Sequence, residues 1–391
     1  MIRVLHITES IPASAGGTSA AFAGLVEALR TQPTRLDPRA LTQALAPDDA
    51  THTMINARDG LWIWTGPRGR FRAGRLGQHA ADTIDQLKPH VVHIHGLWCP
   101  DLVFAARHAL RRSCRLVWQP HGMMVREAMA RSRWKKQLFL ALGLRSALAR
   151  TDALVFTSDT ERATSLQSQY APNARPEVIP LPVRIEPDEG RLPALRAEGR
   201  ARLNIPARTP LAVFVGRLHP VKRVHLTLGA LAQARESVPE ARLVLIGDGD
   251  GAYVEQMRSL ARELGVLEAV TFAGWLSGDD KWRTIAAADA LLLNSEFENF
   301  GFAAVEALDC HVPVIMTDNL SLAAPAAQAG AGLVCPSSAE ALGHALATLL
   351  TSADRAAMGR AGRAWVARSF SHQVVGSALA DLYESLARGA R

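Results

Sequence analysis

The feature that most constrains this chain is a rhythm that runs through it twice. Short apolar runs end at glycine, proline or small polar residues, and each leads into a stretch with helical spacing. Ile2-Arg3-Val4-Leu5-His6-Ile7 opens the chain, the small-residue segment Ala13-Ser14-Ala15-Gly16-Gly17-Thr18 follows, and Ala20 to Leu29 repeats apolar residues at helical intervals. Val91-Val92-His93-Ile94-His95, Leu116-Val117-Trp118-Gln119 and Ala153-Leu154-Val155-Phe156-Thr157 are the next runs, the last leading to a helix near Asp159. Continuous apolar runs of this length predict strands buried on both faces, and alternation with helices predicts parallel sheets.

The rhythm breaks at Val178-Ile179-Pro180-Leu181-Pro182-Val183, where two prolines disfavour helix and fit an extended connection. It then restarts with Leu211 to Gly216, Arg242 to Gly247, Val270 to Phe272, Ala290 to Asn294 and Val312 to Met316. The expected architecture is therefore α/β: two tandem Rossmann-like, doubly wound parallel-sheet domains with a cleft between them. Residues 1–182 form the first domain and 183–368 the second. Residues 369–391 are expected as a C-terminal helix packing back on the first. The length of 391 residues suits two such cores.

Composition narrows the class. Hydrophobic residues make up 48% and charged residues 21%, as in a folded globular protein. The net charge of +7 favours anionic partners. Cys99, Cys114, Cys310 and Cys335 are scattered without a CxxC pair, which argues against a disulfide framework. The first apolar run is too short for a signal peptide and no stretch of 18 apolar residues occurs. Cytoplasmic residence is the expectation, with peripheral attachment to the inner face of a membrane as its extension.

Two segments carry chemistry. In Gly216-Arg217-Leu218-His219-Pro220-Val221-Lys222 a strand ends at glycine and two cations follow, a planar fork and a mobile point charge suited to a diphosphate. In Glu298-Asn299-Phe300-Gly301-Phe302-Ala303-Ala304-Val305-Glu306 a glycine precedes good helix formers, so free N–H groups point back along the helix axis. Two carboxylates flank that turn and can accept from vicinal diols, which both sugars and ribose present. Read alone, each segment also fits solvated surface charges.

In this order the two segments resemble the family 4 retaining glycosyltransferases, known as glycosyl transferases of group 1, of bacterial polysaccharide type and GT-B fold. The resemblance covers nearly the whole chain and is strongest from about Val213 to Pro313. Asn299 departs from it, standing where glycine is common. The resemblance implies roles by position. Arg217 and Lys222 would clamp the diphosphate, with Gly216 giving close approach. Glu306 would grip the ribose, and Glu298 would meet the donor sugar. The backbone of Asn299, Phe300 and Gly301 would meet sugar or phosphate, and Gly274-Trp275-Leu276 the nucleobase. Gly16-Gly17 would close over the phosphates, and His121 of Pro120-His121-Gly122 would bond the sugar. His121, Arg217, Lys222 and Glu298 would thus carry the catalytic work.

Gly247-Asp248-Gly249-Asp250-Gly251 lacks the G-x-G-x-x-G spacing of a dinucleotide fingerprint and fits better as a turn at a strand end near the donor, with Gly247 beside it. His6, His93 and His95 sit in or beside strands and suit structural or acceptor-side roles. Trp62 and Trp64 precede Arg68, Arg70, Arg72 and Arg75, while Arg131, Arg133, Lys135 and Lys136 surround Trp134 ahead of Leu138-Phe139-Leu140. Such mixtures fit either a solvated basic face or an anionic membrane surface. No nucleic-acid recognition motif is visible, so nucleic acid is not an expected partner.

The expected activity is transfer, with retention, of a hexose-type sugar from a UDP- or GDP-sugar to a glycan or lipid-linked acceptor, in bacterial surface polysaccharide assembly. No cofactor or metal is expected, since the resemblance implies none and no Asp-x-Asp donor motif in a suitable context appears. A nucleotide-sugar epimerase of the same architecture and a non-catalytic nucleotide-sugar-binding protein are the alternatives.

Overall fold

The computed structural model describes residues 1–10, 17–44, 64–65, 75–183 and 188–389. Gly16, Trp62, Arg68, Arg70 and Arg72 lie outside these residues. The chain divides into two compact units, Met1–Arg184 with Phe370–Arg391, and Ile185–Ser369.

The N-terminal unit is built on a seven-stranded sheet. Its strands are β1 (Ile2–Ser10), β2 (Leu36–Ala44), β3 (Trp64–Thr65), β4 (Val91–His95), β5 (Arg115–Gln119), β6 (Ala153–Phe156) and β7 (Arg175–Val178). They lie in the order β3-β2-β1-β4-β5-β6-β7, all parallel. The outer strands β2, β3 and β7 add to the expected ones, and the first helix is longer than its apolar spacing, running Gly17–Arg30. Strand alternation sends Leu5, Ile7, Val92, Ile94, Leu116, Trp118, Leu154 and Phe156 to one buried face.

His6, His93 and His95 point to the opposite face. There the helices Gly17–Arg30 and His372–Arg388 cover the sheet. The approach of these two helices depends on Gly376, where a Cβ would lie 2.1 Å from the carbonyl oxygen of Ala28. The expected C-terminal helix runs His372–Arg388 and follows the helix Arg355–Phe370, from which Ser371 separates it, its hydroxyl capping the last helix by accepting from the N–H of Val374. The returning chain is pinned where the first unit ends, with the N–H of Val183 donating to the carbonyl of Phe370 at 2.7 Å.

The second unit has six parallel strands: β8 (Leu211–Val215), β9 (Arg242–Ile246), β10 (Val270–Gly274), β11 (Ala290–Leu293), β12 (Val314–Thr317) and β13 (Gly332–Cys335). Their order is β10-β9-β8-β11-β12-β13. The edge strand β13 was not evident in the sequence, and β12 begins at Val314 rather than Val312. Below β8, the buried Asp289 ties the sheet to the Leu192–Arg202 helix, accepting from Arg200 at 2.8 Å, Arg196 at 2.6 Å and the N–H of Leu211 at 2.9 Å.

In both sheets the order reverses beside the first strand, between β1 and β4 and between β8 and β11. In open α/β sheets such switch points leave a crevice at the carboxyl ends of the strands, where ligands bind.

Candidate active site

In the second unit the sequence motifs converge at that switch point. Gly216 follows β8, and the segment after β11 runs through Asn294 to Gly301. Asn294 joins the two: its amide donates to the carbonyl of Arg223 at 3.0 Å and its carbonyl accepts from the Thr227 hydroxyl at 2.9 Å. The N–H of Glu296 adds a bond to the carbonyl of Val221 at 2.8 Å. The result brings Lys222 Nζ into a direct ion pair with Glu298 Oε2, which Ser295 also approaches at 3.4 Å. Both side chains are about one-fifth exposed. An accessible pair of this kind contributes roughly 1 kcal/mol or less, so a stronger anion can take the lysine over.

Arg217 is exposed and makes no hydrogen bond or ion pair among the described residues. Glu306, on the helix Phe302–Asp309, pairs with Lys281 Nζ at 2.5 Å. The sequence reading did not single out Lys281. Its signal there was weak, since a lysine amid Gly278 to Trp282 looks like any solvated helix cation. Gly301 begins the helix at φ +90, a conformation that favours glycine, and no side chain caps it. Phe300 is buried and meets Phe302 edge-on, which anchors the turn from beneath.

The glycines after β9 have a packing reason. The N–H of Gly216 bonds the carbonyl of Ile246 at 2.9 Å, and that of Leu218 bonds Asp248 at 2.8 Å. A Cβ on Gly247 would lie 1.9 Å from the Gly216 carbonyl oxygen, and one on Gly249 would lie 2.0 Å from that of Leu218. The N–H of Gly247 reaches the carbonyl of Gly274 at 2.8 Å, so the ends of β8, β9 and β10 form one stitched rim. Beyond it Trp275 is 61% exposed and Leu276 is half-buried.

In the first unit His121 follows β5. Its backbone is left-handed, φ +50, and Gly122 follows at φ +78. Such a conformation in a non-glycine residue costs on the order of 1–2 kcal/mol and needs support. Glu161 supplies it. This buried carboxylate accepts from the N–H of Gly122 and, at 2.7 Å each, from the N–H and hydroxyl of Thr157. Burial raises the Glu161 pKa against those hydrogen bonds. Nothing in its local sequence announced this role, because the backbone it supports, at Gly122, lies 39 residues away.

The His121 side chain is partly accessible, yet its ring sits deep enough that burial lowers its pKa to about 4. Its Nε2 is 3.1 Å from His95 Nδ1. His95 Nε2 is 2.9 Å from His6 Nδ1, and His6 Nε2 is 3.1 Å from the Tyr383 hydroxyl, which also lies 2.7 Å from His93 Nδ1. Burial lowers His6 to about 3, drives His93 and His95 well below their usual value, and raises Tyr383 well above its own. Gly17 is the first residue of the Gly17–Arg30 helix, just beyond the segment that holds Gly16.

Comparison with known proteins identifies the family and the fold. Residues 16–182 match the family profile "Glycosyl transferase 4-like domain", and residues 196–365 match "Glycosyl transferases group 1". A GDP-mannose-dependent alpha-(1-6)-phosphatidylinositol monomannoside mannosyltransferase of Mycobacterium tuberculosis is 29% identical over 400 residues, covering 97% of this chain and 98% of the relative. A D-inositol 3-phosphate glycosyltransferase of Segniliparus rotundus is 30% identical over 247 residues, 62% of this chain and 54% of the relative. Among solved structures, Anabaena HepE in complex with UDP and glucose superposes with a TM-score of 0.76 at 20% identity, over 98% of this chain and 100% of the other. Sucrose-phosphate synthase of Thermosynechococcus elongatus gives 0.75 at 22%, over 99% of both. With two parallel-sheet units of matching order and profiles covering each, the chain belongs to the glycosyl transferases of group 1 and has the GT-B fold.

Proposed function

We propose that this glycosyltransferase takes a hexose-type sugar from a UDP- or GDP-sugar and passes it, with retention at the anomeric carbon and without a metal ion, to a glycan or lipid-linked acceptor. The observation that carries the reading is the Lys222–Glu298 contact, which unites two motifs 76 residues apart at the switch point of the second sheet. Arg217, exposed and unpaired among the described residues, and Lys222 take the diphosphate. Negative charge grows on that leaving group as the glycosidic bond breaks, so cations placed there lower the barrier. The uncapped start of the Phe302–Asp309 helix adds its N–H groups.

Lys222 exchanges Glu298 for phosphate, which frees the carboxylate to accept from sugar hydroxyls. Glu306 takes the ribose diol, with Lys281 holding the carboxylate in place. His121 serves the donor sugar. The departing phosphate itself accepts the acceptor's proton in a same-face displacement, so no protein nucleophile is required. The GDP-mannose-dependent relative, matched end to end, supports a nucleotide-sugar donor, and the UDP bound by the structurally similar HepE keeps UDP-sugars beside GDP-sugars in the reading.

A surface-polysaccharide role and attachment at a membrane rest on the Arg133–Phe139 helix and the turn after it. Trp134, Leu138 and Leu142 are 69%, 55% and 71% exposed at helical spacing. Arg131, Arg133 and Lys135 are exposed around them, while Lys136 turns inward to the Ala128 carbonyl and the Trp98 ring. Apolar anchors ringed by cations suit an anionic bilayer. Trp64 and Arg75, the described members of the other basic stretch, begin β3 and the Arg75–Leu87 helix. No described helix is long and apolar enough to cross a membrane.

The test is turnover of a panel of UDP-, GDP- and ADP-sugars, by hydrolysis or transfer. Lys222→Ala should fold normally and lose about 10²–10³-fold in kcat, as removal of a group stabilising transition-state charge does. Full activity in that variant would remove the diphosphate assignment.

A further inference from the structure

The histidines of the first unit form a continuous buried chain, His93–Tyr383–His6–His95–His121, with each link between 2.7 and 3.1 Å. Two questions decide what it does: whether it is a metal site, and which way its protons point.

His6, His93 and His95 offer ring nitrogens within 4.8 Å of one another, all on buried neutral imidazoles. Two of the three ring pairs, however, lie nearly parallel, and the third, His6 and His93, is tilted by 40° at 4.8 Å. His93 and His95 lie 4.4 Å apart at 18°, and His6 and His95 lie 5.1 Å apart at 23°. His6 Nδ1 and His95 Nε2 face each other along the line between two nearly coplanar rings rather than towards a common centre. The His6–His95 nitrogen separation of 2.9 Å is that of a hydrogen bond. Two nitrogens on a tetrahedral zinc, each at about 2.0–2.1 Å, would stand further apart, at roughly 3.3 Å. The geometry is that of a proton-sharing chain.

Each neutral imidazole carries one proton, and the tyrosine carries one. One proton in every link allows three arrangements; that in which Tyr383 accepts from both His93 and His6 orphans its own buried O–H and is set aside on the cost of a buried unpaired donor, which leaves two orientations along the chain. In the first, every proton points toward His121: His93 Nδ1–H donates to Tyr383, Tyr383 to His6 Nε2, His6 Nδ1–H to His95, and His95 Nδ1–H to His121 Nε2. In the second, every proton points the other way. The far end decides between them. His93 Nε2 is buried and has no hydrogen-bond partner among the described residues. The first orientation leaves a bare lone pair there, and the second leaves a buried N–H without an acceptor. Orphaned buried donors are the rarer and costlier case. The same dead end argues against a proton wire, since no proton source among the described residues meets His93 Nε2.

We propose that His95, His6 and Tyr383 are positioning residues that hold His121 as its Nδ1–H tautomer, so that it meets its ligand as a hydrogen-bond donor to an oxygen lone pair. The functional half of this rests on the reading of His121 as a donor-sugar contact. Nδ1 of His121 has no partner among the described residues, which leaves that N–H for the ligand. A histidine free in water prefers the Nε2–H form, so the chain imposes the less common tautomer on all four rings.

The experiment is long-range ¹H–¹⁵N spectroscopy of ¹⁵N-histidine-labelled full-length protein near neutral pH, with His121 assigned from the spectrum of His121→Gln. Protonated and bare ring nitrogens differ widely in shift, and no substrate is needed. The expected result is a protonated Nδ1 and a bare Nε2 on His6, His93, His95 and His121 alike. A protonated Nε2 on any of His6, His95 or His121 in the unmodified protein would overturn the proposal, whatever the variants do. Two variants then test the link. His95→Leu removes the donor to His121 and should release its tautomer toward Nε2–H. His95→Gln keeps an N–H able to donate to His121 Nε2 and should keep Nδ1–H. An unchanged His121 spectrum in folded His95→Leu would show that His95 does not set the tautomer. Stoichiometric zinc retained through gel filtration would also overturn the chain, because a metal-bound nitrogen carries no proton. Failure of the wider reading shows itself separately, as absence of turnover with every nucleotide-sugar.

Discussion

Acidification should weaken the N-terminal unit well before its ion-paired carboxylates Asp85 and Glu384 are protonated. In the folded protein His121 takes up a proton near pH 4 and His6 near pH 3, against 6.5 for the unperturbed side chain. Between those values the unfolded chain binds more protons than the folded one, so stability falls as pH falls from 6.5 and is flat above it. Going from about pH 7.5 to about pH 5.5, each such histidine costs about 1.3 kcal/mol, the difference in protonation free energy of a group of pKa 6.5 in the unfolded chain. His6 and His121 together give about 2.7 kcal/mol. His93 and His95, displaced in the same direction by burial, add to this.

Asp85, held low by Arg112 and His108, and Glu384, held low by Arg35, act in a separate window. They lose their contribution only when pH falls through the carboxylate range. The assay is urea titration at a series of pH values, with hydrogen exchange of peptides from β1 and β4 reporting the first unit on its own. Replacing His6 by phenylalanine should remove up to one proton from the linkage slope. A loss under about 1 kcal/mol across that interval would refute the argument, because it would mean the imidazoles stay protonable in the fold.

Three further outcomes follow from the second unit and the exposed helix. Asp289→Ala leaves Arg200 buried without its carboxylate and should cost about 3–5 kcal/mol in urea unfolding. Gly247→Ala places a methyl group 1.9 Å from the Gly216 carbonyl at φ +138 and should cost at least about 2 kcal/mol. Gly251→Ala, with nothing within 4 Å of its Cβ, should instead be neutral or stabilise by up to about 1 kcal/mol, so equal effects of the two would contradict the stitched rim. Liposome flotation at low salt should recover the protein with anionic vesicles, and replacing Trp134 and Leu138 by serine should abolish this; absence of binding by the unmodified protein would remove the membrane assignment.

The legible parts of the fold are the strands buried on both faces. β4, β5, β6, β8, β9 and β11 read as near-continuous apolar runs because nearly every position is buried, the exceptions being strand ends such as the exposed Arg242 and the half-buried Arg115. The outer strands β2, β7 and β13 did not. Leu36–Ala44 mixes Asp37, Pro38 and Arg39 with apolar residues, and Arg175–Val178 has two exposed positions. Edge and near-edge strands answer to solvent and to one neighbour, and their composition blurs into that of loops.

The site divides along a similar line. Arg217, Lys222, Glu298 and Glu306 stand in local patterns whose spacing carries meaning. Lys281, Glu161 and Tyr383 act through partners brought near by the fold alone. Tyr383 lies 290 residues from His93, and no local pattern encodes such a contact.

The last helix has a consequence for how the protein comes into being. The sheet of the first unit is complete in sequence by Val178, but one of the helices that covers its histidine-bearing face is His372–Arg388. The whole of Ile185–Ser369 must be synthesised in between. At about 5–20 residues per second on the ribosome, roughly 10–40 s separate the appearance of the sheet from that of its cover. Throughout that interval the second unit can finish its own core, while His6, His93 and His95 wait on an open face. The domain that begins first in the chain is thus the one that matures last, and a nascent or prematurely terminated chain would expose that apolar face to chaperones.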